Sequence, residues 1–386
     1  MSALVGTPDP ATRIRQREPE DMVQLLTPDG ERVDHPDFSW SGDPAQLRGL
    51  LRGMVMARRF DTEGTALQRH GELGLWPPLL GQEAAQVGAA AALAGQDFVF
   101  PSYREHGVAL AMGVPVGDML KLWRGIGQGD WDPQTFRFNL YTLVIGSQTL
   151  HATGYAMGLQ LDGMVGNPED DRNAAVLAFH GDGASSQGDV NEAYVFAASY
   201  NAPVVFFCQN NQWAISEPTD RQTRIPLYQR ARGFGFPGIR VDGNDVLAVH
   251  AVTQWAMERA RQGQGPAFIE AFTYRMGAHT TSDDPTKYRL AEEDEHWLGR
   301  DPIERVKKHL LGLDELDQAW LDDLDQQCED FGASVRAACH DLVDPTMDVI
   351  FDHVHAEQTA ELMAQREEYR AWVDSFGESY DTEAAR

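Results

Sequence analysis

Two apolar runs, "AAVLAFH" over residues 174–180 and "APVVFFCQ" over 202–209, each end on a polar turn. The first turn is Gly181-Asp182-Gly183 and the second is Asn210-Asn211. Short continuous apolar runs of this kind read as strands buried on both faces, the pattern of a parallel sheet. Between them, Val190 to Tyr200 carries Ala, Phe and Tyr at helical spacing. The unit is therefore strand, crossover helix, strand, and its right-handed connection returns the chain beside its starting strand. Asp182 and Asn211 then meet at the carboxyl edge of one sheet.

Open parallel sheets bind ligands at that edge. A carboxylate, an amide oxygen and nearby turn carbonyls are hard donors that suit Mg²⁺, which keeps waters and shares its other positions with substrate phosphates. The glycines allow a diphosphate to approach the backbone. Taken singly, the first motif is a tight turn and the second a strand terminator, since Gly, Asp and Asn collect in turns. Together at this spacing they point to a metal-diphosphate site.

The Gly-Asp-Gly, the intervening length and the closing "NNQWAIS" resemble the thiamine-diphosphate fingerprint. More specifically, the chain is similar to alpha subunits of the decarboxylating first component of 2-oxo acid dehydrogenase complexes. The likeness runs from about Pro44 to about Pro302 through "GQEAAQVGAAAAL", "FPSYREHGVAL", "GSQTLHATGYAMG", "VDGNDVLAVHA" and "YRMGAHTTSDDPTKYR". It implies that Gly181, Asp182, Gly183, Ala184 and Asn211 bind the cofactor. By the same resemblance Asp182, Asn211 and the backbone carbonyl of Trp213 hold Mg²⁺.

Tyr103 and Arg104 follow the strand-like "DFVF". On spacing alone Arg104 forms a surface salt bridge with Glu105, whereas the resemblance assigns both residues to the diphosphate and aminopyrimidine. Ile145 is either a core isoleucine or, by resemblance, the apolar wedge that bends the cofactor. His279 follows the strand "PAFIEAFTYR" in a loop rich in Thr, Ser and Asp, where a lone histidine is usually solvated. The resemblance makes it the catalytic histidine, also in contact with the cofactor, and a pKa near neutrality would suit it to proton transfer. Ser147 and Gln148 stand where some relatives bind a structural K⁺. Gln209 replaces an arginine that some relatives place before Asn-Asn, and Ala278 stands where others have His or Pro. His151 reads as a support behind the site or a core histidine, and Thr280 as a loop threonine at a position that mitochondrial relatives phosphorylate as serine.

The implied activity is thiamine-diphosphate-dependent oxidative decarboxylation of a small 2-oxo acid with reductive acylation of lipoamide. "GELGLWPPLLGQEAAQVGAA" and "GNDVLAVHAV" look closer to the branched-chain type, with pyruvate or acetoin enzymes as alternatives. A noncatalytic Mg-diphosphate scaffold is the rival from another class. The family's activating glutamate belongs to a beta subunit, so the resemblance implies an α₂β₂ heterotetramer that docks on a lipoyl acyltransferase core.

The remaining features bound the setting. A net charge of -27 over 386 residues disfavours nucleic acid and anionic membrane as partners. Cys208, Cys328 and Cys339 have neither a disulfide nor a zinc spacing, which suits the cytoplasm. Residues 1–40 read as an extended arm that packs on a partner or is partly disordered. Residues 41–300 read as a doubly wound, mostly parallel α/β domain that binds the cofactor, and 301–386 as an acidic helical region. The first firm helix begins at "SGDPAQL", with Asp43 as N-cap, Gln46 completing a capping box and Gly71 as its stop.

Overall fold

The two apolar runs form adjacent strands of a five-stranded parallel sheet in a computed structural model that describes residues 22–168 and 171–376. In chain order the strands are β1 (Phe98–Phe100), β2 (Val176–Gly181) and β3 (Val204–Asn210). A small antiparallel pair outside the sheet follows, β4 (Trp213–Ala214) and β5 (Glu217–Pro218), and then β6 (Gly238–Asp242) and β7 (Ala267–Phe272). The sheet order is β1-β2-β3-β7-β6. Its register aligns Phe100 with Ala178, Gly181 with Gln209 and Asn210 with Phe272, so the ends of four strands share one edge.

The main helices of the first unit are α1 (Pro44–Arg69), α2 (Glu83–Ala91), α3 (Ser147–Leu161), α4 (Gly188–Tyr200), α5 (Val246–Arg261), α6 (Pro302–Gly312) and α7 (Gln318–His340). Strand side chains alternate between faces. One pleat, including Val176, Ala178, Val204, Phe206 and Cys208, packs on Ala152 and Ala156 of α3 and Ala193, Tyr194 and Ala197 of α4. The other pleat, including Leu177, Phe179, Val205 and Phe207, is equally buried, and α5 packs against β3, β6 and β7. Two buried faces explain the long apolar runs in β2 and β3, while Arg240 of β6 and Glu270 of β7 are buried as an ion pair. The small alanines let α3 and α4 lie close to the sheet.

Helix α1 starts as its sequence predicts: Asp43 accepts from the Gln46 backbone, the Gln46 side chain answers, and Pro44 opens the first turn. It closes at His70, and Gly71 takes a left-handed φ of 83° that a side chain would disfavour. Leu47, Leu50, Met54 and Ala57 form its buried stripe. Ion pairs Arg48–Glu315, Arg59–Glu329 and Arg336–Glu63 fasten α7 and the turn before it to α1.

The arm differs from both expectations in its described part. Val23 pairs in parallel with Val241, and the amides of Leu25 and Leu26 both donate to Asp245 Oδ2 at 2.6 Å. Residues 22–26 thus cover the β6 edge of their own sheet, protecting an otherwise open row of backbone groups. Residues 1–21 lie outside the described residues.

A second unit begins at Asp341 and is described to residue 376. Its helices α8 (Met347–Asp352) and α9 (Ala360–Asp374) are joined by ion pairs from Arg366 and Arg370 to Asp348 and by a Phe351–Tyr369 ring contact. Among the described residues no helix is long and apolar enough to cross a membrane.

Candidate functional site

The shared carboxyl edge opens into a cavity of about 250 Å³. The turn after β1 supplies Tyr103 and Arg104, the β2 turn supplies Gly181 to Ala184, and the β3 end supplies Asn211 and Trp213. The segment after β7 contributes Arg275 and His279, and the loop before α3 contributes Ile145. Every residue singled out as a contact of thiamine diphosphate or Mg²⁺ therefore lines one cavity.

One wall is cationic. Arg104 is 5% exposed, with Nη1 donating to the Pro78 carbonyl at 2.6 Å and Nη2 to the His279 carbonyl at 2.9 Å. Arg275 is fully buried and donates to the carbonyls of Trp213 and Ile215 at 2.9 and 2.8 Å, and to Tyr288 Oη at 3.1 Å. Neither guanidinium has a carboxylate within ion-pair distance among the described residues. Burial and then the charge of Arg104 push the Arg275 pKa down to about 10. An anion in the cavity would relieve that cost.

Glu105 does not pair with the Arg104 guanidinium on the surface. It is buried and accepts from Ser102 Oγ at 2.8 Å and Gln209 Nε2 at 2.5 Å. Gln209 occupies the wall through that bond and a second one from Gln86 at 3.2 Å.

His279 departs from the expected pKa near neutrality. Burial first, then the charges of Arg104 and Arg275, lower it to about 3. Its Nδ1 lies 3.0 Å from Arg275 Nη1 and 3.4 Å from Arg104 Nη2, two N–H donors, so Nδ1 is the acceptor and Nε2 carries the proton. The residue is half-buried, its amide donates to Asp283 Oδ2 at 2.9 Å, and its ring meets Tyr103 edge-on. In the cavity as it stands, His279 is a neutral hydrogen-bond donor.

A second wall is built of oxygen. Asp182 is buried, and its Oδ2 accepts from Thr219 Oγ1 at 2.9 Å and Gln222 Nε2 at 3.1 Å. Asn211 is oriented by its own Nδ2, which donates to Gln82 Oε1 at 3.1 Å. The Trp213 carbonyl accepts from Arg275 Nη1, in a turn where Gln212 and Ile215 adopt left-handed φ angles of 71° and 55°. Such conformations cost of order 1–3 kcal/mol each and concentrate at functional sites. Gly183 is required by close packing, since a Cβ there would lie 2.7 Å from Ala214 Cβ. A Cβ on Gly181 would meet open space.

Among the described residues no cluster of three or more His, Cys, Asp or Glu side chains could hold a metal. A cation here would depend on one carboxylate, one amide oxygen and one carbonyl, leaving positions for water or phosphate. Ile145 is 39% exposed at the cavity rim and is not a core residue. Gln148 Oε1 is buried without a hydrogen-bond partner, while its Nε2 donates to the Phe179 carbonyl at 2.9 Å. Ser147 Oγ donates to the Val144 carbonyl at 2.9 Å. His151 is exposed on α3, neither a core histidine nor a support behind the site. Sequence reasoning missed Arg275, Gln82, Thr219 and Gln222. For Arg275 a signal was present, because it follows a strand end just as Arg104 does.

Residues 51–340 match the family described as Dehydrogenase E1 component. The chain belongs to that family. The chain is 47% identical over 354 residues to the 3-methyl-2-oxobutanoate dehydrogenase subunit alpha of Mycobacterium tuberculosis, an alignment covering 90% of this chain and 93% of the relative. It is 37% identical over 359 residues to the pyruvate dehydrogenase E1 component subunit alpha of Staphylococcus epidermidis, covering 91% and 93%. The corresponding subunit of Acholeplasma laidlawii is 38% identical over 342 residues, covering 85% and 94%. This E1 chain thus has the enzymatic role of an E1 alpha subunit, and the family depends on thiamine diphosphate.

Proposed function

We propose that this E1 chain binds thiamine diphosphate and Mg²⁺ in the cavity and, with a beta subunit, decarboxylates branched-chain 2-oxo acids and passes the acyl group to lipoamide. The observation that carries the reading is the pairing of walls. Two buried guanidiniums, with no carboxylate within ion-pair distance among the described residues, line one cavity with Asp182 and Asn211, and Arg275 itself donates to the Trp213 carbonyl. A diphosphate bound through a divalent cation has the charge pattern that both walls lack.

Arg104 and Arg275 would hold the diphosphate, and the oxygen wall would hold Mg²⁺. When bound, thiamine diphosphate supplies the electron sink for loss of carbon dioxide from a 2-oxo acid. Ile145 offers the apolar surface against which the cofactor rings rest. His279 Nε2–H points a neutral donor at substrate or acyl acceptor, and binding of an anion beside it raises its basicity. A K⁺ ion near α3 would use Gln148 Oε1, the acceptor with no partner.

The cavity supports a shared site. Leu143, Val144 and Ile215 are more than half exposed, and Ile215 lines the cavity while the other two lead into Ile145. Exposed apolar residues at a polar site suit a subunit interface, which fits an α₂β₂ assembly carried on a lipoyl acyltransferase core. The branched-chain preference follows the name of the relative at 47% identity. Pyruvate is the second reading, favoured by the relatives at 37% and 38% identity. The test is lipoamide-linked turnover of 3-methyl-2-oxobutanoate, 4-methyl-2-oxopentanoate and pyruvate by the chain co-expressed with its beta partner. A higher kcat/KM for pyruvate would reverse the substrate assignment.

A further inference from the structure

Among the described residues Arg104 has no ion pair, and two carbonyls receive its guanidinium, those of Pro78 and His279. Pro78 lies in the turn "WPPLLG" between α1 and α2. Pro77 and Pro78 have no N–H of their own, so the backbone at this point must be held through its neighbours. Three neighbouring donors converge on one side chain. Trp76 Nε1 and the amide of Leu79 donate to Asp61 Oδ1 at 2.8 and 2.9 Å, and the amide of Leu80 donates to Asp61 Oδ2 at 3.0 Å.

With its donors turned inward to Asp61, the turn presents its carbonyls outward. Pro78 receives Arg104, Pro77 lies 3.2 Å from His106 Nε2, and Leu80 receives the Met276 amide at 3.0 Å. Trp76 also exchanges bonds with Thr281, its amide to Oγ1 at 3.1 Å and its carbonyl from the Thr281 amide at 2.9 Å. Both segments that deliver the cationic wall, at Arg104 and around His279, therefore lean on this turn. Asp61 is 4% exposed and has no ion pair among the described residues; its oxygens are satisfied by N–H groups alone.

A carboxylate is the side chain that suits this place. It is acceptor-only, whereas an amide would turn a donor toward one of the three N–H groups. Its burial carries a cost, since removal from water pushes the Asp61 pKa up to about 6. An isolated stability argument would favour a neutral residue here.

We propose that Asp61 is a positioning residue for the Arg104 guanidinium, acting through the Pro78 carbonyl. The proposal rests on the reading of the cavity as a diphosphate site. The experiment titrates thiamine diphosphate at saturating Mg²⁺ into the full chain with its beta partner, following tryptophan fluorescence, for wild type, Asp61→Asn, Arg104→Lys and the double variant. Asp61→Asn weakens cofactor binding on the order of tenfold, and it also shrinks the penalty of Arg104→Lys on the order of tenfold, the non-additivity of coupled residues. Thermal unfolding without cofactor separates positioning from folding. A lowered midpoint with an unchanged Kd, or strictly additive losses, overturns the proposal. If Asp61→Asn does not fold, Trp76→Phe removes one donor while keeping a ring stacked on His106, and the same cycle with Arg104→Lys is read. Failure of wild type to bind the cofactor overturns the diphosphate reading itself, and is thereby distinct from a wild-type affinity retained in every Asp61 variant.

Discussion

Asp182→Asn isolates the charge of the oxygen wall from its shape. In the wild type Oδ2 receives both Thr219 Oγ1 and Gln222 Nε2. Asparagine meets those donors only by placing its single oxygen at Oδ2, which leaves its amide nitrogen where the second carboxylate oxygen stood. The variant therefore removes a negative charge and turns a donor toward the cation position. Losing one partner of a buried, hydrogen-bonded charge pair costs about 2–5 kcal/mol, or roughly 30-fold to several-thousand-fold in Kd. Stability without cofactor should move the other way or not at all, because burial already holds the Asp182 carboxyl above its ordinary pKa and a neutral residue removes that cost. Calorimetric titration with thiamine diphosphate and Mg²⁺ reads the first effect, and thermal unfolding without either reads the second. An unchanged Kd would refute the assignment of Asp182 to the cation. A large fall in the cofactor-free midpoint would show that its role is in folding.

His279→Ala should fold and assemble normally while turnover falls on the order of a hundredfold, the lower range for a positioned proton donor; wild-type rates of decarboxylation and lipoamide acylation would remove it from the chemistry. Gly183→Ala forces a Cβ against Ala214, 2.7 Å away, and should shift β4 with the Trp213 carbonyl, weakening cofactor binding by about 1–3 kcal/mol. An unchanged titration would show that the hairpin yields elsewhere. Acidification from pH 7 to 5 should draw stability from three histidines held neutral by the fold. His106, His180 and His279 have folded pKa values lowered to about 3, 4 and 3, so the unfolded chain binds more protons below its ordinary value of 6.5. Each contributes a loss approaching about 1.4 kcal/mol per pH unit. Asp61 and Asp245, both raised to about 6, oppose this, and burial raises the carboxyls of Glu83, Glu105 and Asp182 in the same sense. Urea unfolding of wild type and His180→Asn at both pH values isolates one histidine's share, and an equal change in the two would contradict a buried, neutral His180.

The sheet was legible because strands buried on both faces leave a continuous apolar signature, and because glycine and asparagine turns mark where they stop. The same logic placed Asp182, Asn211, Arg104 and His279 at one edge without side-chain detail. What the sequence did not carry is what one strand end does to another. The pKa of His279 is set first by burial, then by Arg104, 175 positions away, and by Arg275, so no local reading of its loop could find it. Glu105 looks like a surface partner for Arg104 until Gln209, brought in by β3, takes its carboxylate. The arm was misjudged because its partner is the chain's own β6 edge and Asp245, more than two hundred residues on. Arg275 was overlooked since an isolated arginine after a strand resembles an exposed one.

The central claim is that this E1 chain's cavity holds the cofactor for 2-oxo acid decarboxylation. Its most direct test is release of carbon dioxide from 3-methyl-2-oxobutanoate by the chain reconstituted with its beta subunit, stripped of cofactor and then resupplied. Release is expected to require both thiamine diphosphate and Mg²⁺, to be absent with either subunit alone, and to be lost in Asp182→Asn at cofactor concentrations that saturate wild type. Carbon dioxide released without added cofactor, or at wild-type rates by Asp182→Asn under those conditions, would contradict it.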